Sequence, residues 1–305
     1  MNLKLWRSRF REYMEVRNWS PRTIQAYTGE LRHLFDFLDE RGIKAPNAIT
    51  RDAMEAYRGW LFNQQTRGRN LKPRTVAARL TGAKAFCRFL AHEQFVLLDP
   101  GLDVELPRVP KLLPRPILTQ DEVTSLLEAT DVSTAIGMRD RAVLELFYST
   151  ALRNSELCDL HCADIDFEAH EVRVLGGKGS RQRVVPVGEE AALWLAMYLR
   201  RARPQLTSDD EPRLFVTWRG RPLTRETAAL VVTRAAEKAG VKRITPHVLR
   251  HCCASHMLEN GASVRHIQEL LGHVSAESTI RYTHVMIDDL HEVHRRCHPR
   301  EQRSA

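Results

Sequence analysis

The stretch LDPGLDVELPRVPKLLPRP, residues 98–116, divides the chain. It holds five of the fourteen prolines in the 305-residue sequence, spaced between Pro100 and Pro116. Proline lacks a backbone N–H and clashes with the preceding helical turn, so this spacing excludes a helix. We therefore predict a semi-rigid linker over residues 99–116, between one domain at 1–98 and a second at 117–305.

Charge is distributed unevenly between these two predicted domains. Residues 1–116 contain 21 Lys and Arg against 12 Asp and Glu, whereas residues 117–305 contain 25 against 26, within a formal net charge of +8. A basic domain beside a near-neutral one favours a polyanionic partner, nucleic acid first, although a solvated helical surface shows the same excess.

The sequence also carries predictions about the compartment. No apolar run approaches the ~18 residues of a membrane span, and the N-terminus lacks the apolar segment of a signal peptide. We expect a soluble cytoplasmic protein with no membrane partner. The six cysteines are unevenly spaced, which favours reduced thiols over a disulfide framework.

Four amphipathic segments precede the linker, and we expect a small basic helical bundle without a strand. The clearest helix begins at Ser20-Pro21, since serine is a favoured N-cap and proline a favoured first helical residue, and it ends at Gly42. Apolar residues recur at helical spacing in the other three segments, which cover 4–16, 50–65 and 73–92.

The region after the linker combines helices with one short sheet. The alternating stretch EVRVLGGKGSRQRVVPV, residues 171–187, predicts a β-hairpin whose turn is 176–179. The predicted fold class is mainly α with a small antiparallel β-sheet, in which a helical N-terminal domain precedes an α+β domain. Helices fit residues 119–129, 137–149, 189–203, 224–239, 246–260 and 263–271, with two more beginning near Ser275 and near Asp288.

Several well-known active-site patterns are absent from the sequence. GGKG lacks the flanking residues of a phosphate-binding P-loop, HEVH is one residue short of a zinc-protease motif, and there is no GxSxG or CxxC. His291, His294, Cys297 and His298 are residue types that bind zinc, but they lie beside three arginines, and we favour a basic C-terminal helix. We therefore expect no metal site and no cofactor.

The remaining candidates are side chains that stabilise an anion, placed at turns and helix starts. They are Arg153, Lys178, His247, Arg250, His273 and Tyr282. No acidic pair accompanies them to hold Mg²⁺, which favours a phosphoryl group stabilised by side chains, with Tyr282 as the natural nucleophile. Taken singly, each has a plainer interpretation, such as an Arg153–Glu156 ion pair, a polar helix face or a half-buried core tyrosine.

Four ordered motifs together resemble the tyrosine recombinase family, also called the phage-integrase family. The N-terminal stretch FREYMEVRNWSPRTIQAYTGELRHLFDFLDERG is similar to the DNA-clamping domain of the Xer-type members, so the resemblance covers nearly the whole chain. The four motifs are MRDRAVLELFYSTALRNSELCDLHCADID (138–166), GGKGSRQRVVP (176–186), HVLRHCCASHML (247–258) and LGHVSAESTIRYTHV (271–285).

The resemblance implies an enzyme, a site-specific DNA recombinase that works through a 3′-phosphotyrosine intermediate and a Holliday junction. By position, it implies that two arginines and two histidines hold the scissile phosphate, and these are Arg153, Arg250, His247 and His273. It further implies that Lys178 protonates the leaving 5′-hydroxyl while Tyr282 attacks the phosphorus. Glu156 is expected to orient Arg153, and Asp140 to brace the same neighbourhood.

The family's partners follow in the same way. They are double-stranded DNA with a specific recombination site and further protomers, as a homotetramer or as a heterotetramer with a second tyrosine recombinase. The C-terminal helix from Asp288 is expected to pack onto a neighbouring protomer. Arg74 and Lys84, on the fourth N-terminal helix, and Arg225 and Arg234, on the helix over 224–239, are our candidates for DNA contact.

Several points stay open at the level of sequence. The biological role is either the resolution of replicon dimers in chromosome partition or the integration and excision of a mobile element. Two other functions compete: a type IB-like topoisomerase and a non-catalytic architectural DNA-binding protein. Ala151 stands where the family commonly has glycine, and if this position needs a positive φ, the alanine strains the turn that carries Arg153.

Overall fold

The chain forms two compact units that divide between residues 114 and 115, within the segment predicted as a linker. That the segment acts as a linker stays a prediction. The computed structural model describes residues 3–66, 68–110, 117–175, 182–207, 210–242, 244–272 and 284–301, without the side chains of 3, 4 and 284–288. No helix among the described residues is long and apolar enough to cross a membrane.

The first unit is a helical bundle. Ser20 caps α2 as predicted, since its Oγ accepts a hydrogen bond from the Thr23 N–H at 3.1 Å. Buried aromatic and aliphatic side chains, among them Phe10, Leu34 and Phe86, form its core. The helices are α1 (Leu3–Val16), α2 (Pro21–Glu40), α3 (Arg51–Asn63) and α4 (Pro73–His92).

Our expectation that the first unit has no strand was wrong. The two-residue strands β1 (Gln65–Thr66) and β2 (Arg69–Asn70) pair antiparallel between α3 and α4. Strands this short contain no alternating apolar pattern, because each has room for only one residue per face. The sequence signal for a strand therefore does not exist at this length.

The second unit is built around α6, most of whose residues are buried and which contacts α5, α8, α10 and α11. The fold class is confirmed: helices surround a small antiparallel sheet. The helices of this unit are α5 (Gln120–Glu128), α6 (Ala135–Thr150), α7 (Asn154–Asp159), α8 (Glu189–Met197), α9 (Arg203–Leu206), α10 (Arg225–Lys238), α11 (Pro246–Glu259), α12 (Val264–Leu271) and α13 (His284–Cys297).

The sheet has three antiparallel strands in the order β3–β4–β5, namely Ile165–Asp166, Glu171–Val174 and Arg183–Pro186. Val172 pairs with Val185, so the two valines point together into the core. The strands of the predicted hairpin are confirmed. Its turn at residues 176–179 lies outside the described residues.

Two helix predictions need correction, and one short helix was missed. The helix expected at 189–203 extends to Leu206, because α8 passes through a π-helical turn (Tyr198–Ala202) into α9. The six-residue α7 had not been predicted, and it is too short to show an apolar periodicity. The helix expected near Asp288 begins at His284, and the one expected near Ser275 lies outside the described residues.

Helix α13 packs against its own chain. Leu290, Val293 and Cys297 belong to the core of the second unit. His294 donates from Nε2 to the Ser149 carbonyl at 2.8 Å, and His298 donates from Nε2 to the Tyr148 carbonyl at 3.2 Å. Because both imidazoles are bonded to the end of α6, they hold this helix in place.

Candidate active site

The turn after α6 positions the first candidate arginine. Ala151 ends the helix in the left-handed conformation, with φ of 50° and ψ of 31°. A left-handed residue with a Cβ costs roughly 1–2 kcal/mol, and glycine avoids that cost. The strain expected at Ala151 is therefore present in the structure. Leu152 is buried beside it, which fixes the backbone that leads to Arg153.

Arg153 lies at the N-terminus of α7, where Glu156 holds it at two points. The Glu156 carboxylate accepts a hydrogen bond from the Arg153 backbone N–H at 2.8 Å and from its Nη1 at 2.7 Å. The first bond is the reciprocal half of a capping box, which ties the start of the helix to its third residue. The Arg153 side chain is 40% exposed, so its guanidinium stays accessible to a ligand.

Arg250 comes from α11 and is buried almost completely. It donates from Nη1 to the Ala151 carbonyl and from Nη2 to the Leu271 carbonyl, the latter at 2.7 Å. Arg153 donates from Nη2 to the next carbonyl, that of Gly272, at 3.3 Å. The two arginines are thus brought together on consecutive peptide groups, just before His273.

A third arginine completes the cluster. Arg183, at the start of β5, donates from Nη1 and Nη2 to the two Glu156 carboxylate oxygens at 2.9 and 2.8 Å. We call Arg153, Arg183, Arg250 and Glu156 the arginine cluster. Three guanidinium groups against one carboxylate leave a net positive charge, which suits a phosphate better than a neutral ligand.

Electrostatics within the cluster keep its carboxylate ionised. Burial acts to raise the pKa of Glu156, but hydrogen bonds and charge from Arg183, with those from Arg153, outweigh burial and lower the pKa to about 2. Burial, with the positive charge of Arg153 and Arg183, lowers the pKa of Arg250 to about 10. Arg250 therefore stays protonated at neutral pH.

The other predicted catalytic residues are placed as follows. His247 is exposed on α11, one turn before Arg250 and on the same side of the helix. Lys178, His273 and Tyr282 lie outside the described residues. Their assignment therefore stays a prediction.

Asp140 does not join the arginine cluster. It lies on α6, ten residues before the end of the helix and so roughly 15 Å from it along the axis. Its carboxylate pairs with the neighbouring Arg139, whose Nε donates to it at 2.9 Å, and Arg139 in turn donates from Nη1 to the Val216 carbonyl at 3.0 Å. Asp140 therefore braces a different part of the unit from the one we expected.

The four candidates for DNA contact differ in their surroundings. Arg74 is exposed in the first turn of α4, and Arg234 is exposed on α10. Arg225 begins α10 beside α7, since its carbonyl accepts a hydrogen bond from Asn154 Nδ2 at 2.9 Å. Lys84 donates from Nζ to the carbonyls of Leu102 and Val104. DNA contact by all four stays a prediction.

Two features of this region had not been foreseen. The role of Arg183 was missed, although the sequence carries a signal for it: in a strand of period two, Arg183 shares the inward face with Val185. A charged residue on a core face needs a buried partner. The histidines of α13 also have partners of their own, and no group of three or more potential metal ligands occurs among the described residues.

Comparison with known proteins places this chain in a family. Residues 116–288 match the profile described as Phage integrase family, and residues 8–94 match the Phage integrase N-terminal SAM-like domain. Tyrosine recombinase XerC 2 of Ralstonia nicotianae is 41% identical over 292 residues, which cover 94% of this chain and 84% of that protein. Tyrosine recombinase XerD of Pseudomonas putida is 38% identical over 283 residues, which cover 92% of each.

A solved structure shows the same fold. The crystal structure of a lambda integrase tetramer bound to a Holliday junction matches with a TM-score of 0.66 at 19% identity, covering 92% of this chain and 80% of that one. The arginine cluster, the order of the motifs and the two family matches agree with one another. The chain therefore belongs to the phage integrase family and is a tyrosine recombinase, an enzyme of site-specific DNA strand transfer.

Proposed function

We propose that the arginine cluster binds the scissile phosphate of a DNA duplex and that Tyr282 attacks it. The observation that carries this proposal is the anchoring of Arg153 and Arg250 on the consecutive carbonyls of Gly272 and Leu271. Two cations fixed to the backbone just before His273 form a rigid receptor for one phosphate group. Each guanidinium has five N–H donors, so those not bonded to carbonyls or to Glu156 remain for phosphate oxygens.

The proposed reaction exchanges one phosphoester for another. The Tyr282 hydroxyl loses its proton and forms a bond to phosphorus, while the bond from phosphorus to the 5′-oxygen breaks. Lys178 gives a proton to that oxygen, which leaves as a 5′-hydroxyl. His247 and His273 complete the donor set around the nonbridging oxygens. A 5′-hydroxyl from a second strand then attacks the phosphotyrosine and releases Tyr282.

The positive charge of the arginine cluster favours the proposed reaction in two ways. A phenol of ordinary pKa ~10 is a weak nucleophile at neutral pH, and nearby cations favour its phenolate. The same cations stabilise the dianionic transition state, since they are fixed before the reaction begins. The ester energy stays in the phosphotyrosine link, so the exchange needs no nucleotide and no added metal.

DNA binding is proposed to use both units. Arg74 and Lys84 would contact phosphates from the first unit, and Arg225 and Arg234 from the second. Replacing one phosphate-contacting residue by alanine should weaken binding at all sequences and reduce the slope of log K against log salt by about 1. Arg11→Ala, an exposed residue of α1 paired with Glu15, is the matched control. Unchanged affinity and slope in all four variants would contradict these assignments.

The proposed assembly is four protomers on a Holliday junction, as in the lambda integrase tetramer, either of this chain alone or with a second tyrosine recombinase. Exchange of α13 between protomers requires the bonds of His294 and His298 to the end of α6 to break first. We expect action in the cytoplasm, on bacterial chromosomal DNA. Resolution of replicon dimers and integration or excision of a mobile element remain the two proposed roles.

Covalent trapping tests the proposed chemistry. The full-length protein is incubated with nicked duplexes that contain the DNA flanking its own gene, with chelator and without nucleotide. We expect an adduct that survives denaturation with the wild type and none with Tyr282→Phe, which keeps the ring and loses the nucleophile. An adduct that needs a metal, or that persists in the phenylalanine variant, would overturn the proposal.

The same experiment separates this function from its competitors. A recombinase should trap one defined sequence, whereas a type IB-like topoisomerase should trap many sequences and relax supercoiled plasmid without a second site. Specific binding with no adduct on any duplex would point to an architectural protein. Sequencing the trapped DNA decides between the first two outcomes.

A further inference from the structure

Arg183 stands out because it is a buried cation at the junction of three candidate catalytic segments. Its side chain is only 3% exposed, and its two-point bond to Glu156 joins β5 to α7. Glu156 holds Arg153 with the same carboxylate. Because Glu156 bonds both arginines, the position of Arg183 affects the position of Arg153.

The other side of the Arg183 guanidinium lies against the backbone at Gly272. A Cβ added to Gly272 would come within 3.1 Å of three atoms of this guanidinium, Cζ, Nε and Nη1. Gly272 has a φ of +60° and ends α12 immediately before His273. The guanidinium therefore lies close to the residue that leads into the predicted catalytic histidine, and the absence of a side chain at Gly272 makes that approach possible.

The strand that carries Arg183 also leads away from Lys178. Arg183 follows Lys178 by five positions and is the first residue of β5. Arg183 therefore contacts the segments that lead to Arg153 and His273, and in the sequence it comes directly after the segment that carries Lys178.

Stability alone does not account for a cation in this place. Moving a charged group out of water is costly even when it is paired, and a well-packed apolar residue often serves stability equally well. A two-point bond between a guanidinium and a carboxylate does, however, fix orientation in a way that an apolar side chain does not.

We propose that Arg183 is a positioning residue for DNA strand cleavage, acting on Arg153 through Glu156 and on the backbone before His273 through its contact with Gly272. The inference rests on the proposed function of the arginine cluster. Displacing a phosphate-binding group by about 1 Å costs up to ~100-fold in rate, so the effect of losing Arg183 should appear in cleavage and not in DNA affinity.

The test uses single-turnover cleavage of a nicked duplex that carries the sequence trapped by the wild type, at saturating protein. We expect Arg183→Leu to cleave ~10- to 100-fold more slowly with unchanged affinity for the duplex. Arg183→Lys keeps the charge but loses the two-point geometry, so its rate should lie between those of the leucine variant and the wild type.

Arg141→Leu is the matched control. Arg141 is a buried arginine of the same unit, and it pairs with Glu145 at 2.9 Å, while Arg300 pairs with the same carboxylate at 2.7 Å. The variant therefore removes one of two arginines from a buried carboxylate outside the arginine cluster. It should lower the melting temperature about as much as Arg183→Leu does and leave the cleavage rate near that of the wild type.

The pH dependence of the cleavage rate separates a positioning role from general destabilisation, which would not change it. The charged groups that face Glu156 in the described part of the chain are Arg153, Arg183 and Arg250. Arg183 makes the strongest of the interactions that keep the Glu156 carboxylate ionised. Its loss should therefore raise the pKa of Glu156 by roughly 1–3 units. Cleavage by Arg183→Leu should then fall more than cleavage by the wild type between pH 6 and pH 4, the range in which the shifted carboxylate gains its proton.

The double variant Arg183→Leu/Glu156→Gln tests whether Glu156 causes that acid sensitivity. Because glutamine does not titrate, the extra fall in rate at low pH should disappear, although the rate itself stays low. An extra fall that persists in the double variant would overturn the inference, and so would an Arg183→Leu rate no lower than that of Arg141→Leu. If the wild type forms no adduct at all, the proposed function fails first and the inference fails with it.

Discussion

Arg250 and Leu271 are joined directly, since Nη2 of the arginine donates to the leucine carbonyl at 2.7 Å. Leu271 is the last residue of α12, and the chain reaches His273 two residues later. A buried cation on α11 thus fixes the backbone that leads towards the predicted histidine. We therefore expect one side chain to contribute both to the proposed binding of the phosphate and to the position of the backbone before His273.

Arg250→Lys should therefore lose two properties at once. A lysine has a single charged nitrogen and does not bridge the carbonyls of Ala151 and Leu271, which leaves a buried acceptor without a partner at a cost of roughly 1–3 kcal/mol. Cleavage should fall by ~100-fold or more, in line with the loss of a fixed anion donor. Urea denaturation and single-turnover cleavage measure the two effects.

Arg265→Lys on α12 is the control for that variant. Its side chain is 70% exposed and pairs only with Glu269 in the described residues. Stability and cleavage should both stay near wild type, because exposed pairs contribute little. Equal losses in the two lysine variants would contradict the role given to Arg250.

Gly272→Ala tests the contact between Arg183 and the backbone. The substitution adds strain at a φ of +60° and places a methyl group 3.1 Å from the guanidinium. Gly240→Ala adds similar strain at a φ of +70° with no atom within 4 Å of the new methyl. Both should lose roughly 1–2 kcal/mol of stability, but only Gly272→Ala should cleave more slowly. Equal cleavage rates would mean that the close approach at Gly272 has no part in catalysis.

Glu156 should make the protein sensitive to acid. Its folded-state pKa of about 2 lies below the ordinary value of 4.5, so the stability it contributes is present above pH 4.5 and is lost as the pH falls towards 2. Relative to Glu156→Gln, the wild type should lose roughly 2 kcal/mol of unfolding free energy between pH 6 and pH 3. Urea midpoints at several pH values measure this difference, and parallel curves for the two proteins would contradict it.

The buried histidines of α13 should cause a second loss of stability in acid, at a higher pH than the one caused by Glu156. Burial lowers the pKa of His294 to about 4, and burial together with the charge of His294 lowers the pKa of His298. Both folded values lie below 6.5, so stability is lost as the pH falls below about 6.5. Glutamine does not titrate in this range. The His294→Gln variant should therefore lose about 1 kcal/mol less unfolding free energy than the wild type between pH 7.5 and pH 5.5.

His251→Gln is the control for that prediction. His251 is exposed on α11, so its replacement should leave the pH dependence of stability as it is in the wild type. Hydrogen exchange of α13 locates the effect: opening at pH 5.5 should be faster in this helix than in α6. Equal acid sensitivity in the two glutamine variants would contradict the role of His294 in holding α13.

The sequence predicted the long elements well because their signals are local. The helix from Pro21 has its N-cap, first-turn proline and apolar stripe within one segment, and the strands around Val172 and Val185 alternate as buried strands should. The short helix α7 was missed because six residues carry no periodicity. Its position depends on Glu156 bonding to Arg183, which lies 27 residues away.

The site was predicted by residue type, and its geometry was not. Motif order brought Arg153, Glu156 and Arg250 into one hypothesis, but nothing local shows that two arginines share consecutive carbonyls before His273. The resemblance suggested that Asp140 braces the same neighbourhood, but Asp140 lies ten residues before the end of α6, which places it nearly three helical turns away from the turn that carries Arg153.

The most direct test of the account is to identify the amino acid that carries the DNA. The trapped complex is digested with nuclease and protease, and the peptide bearing the residual nucleotide is sequenced by mass spectrometry. The account predicts a single modified peptide with the nucleotide on Tyr282 through a 3′-phosphate, and no modified peptide from Arg153→Ala under the same conditions. A nucleotide on another residue, or a 5′-linkage, would contradict it.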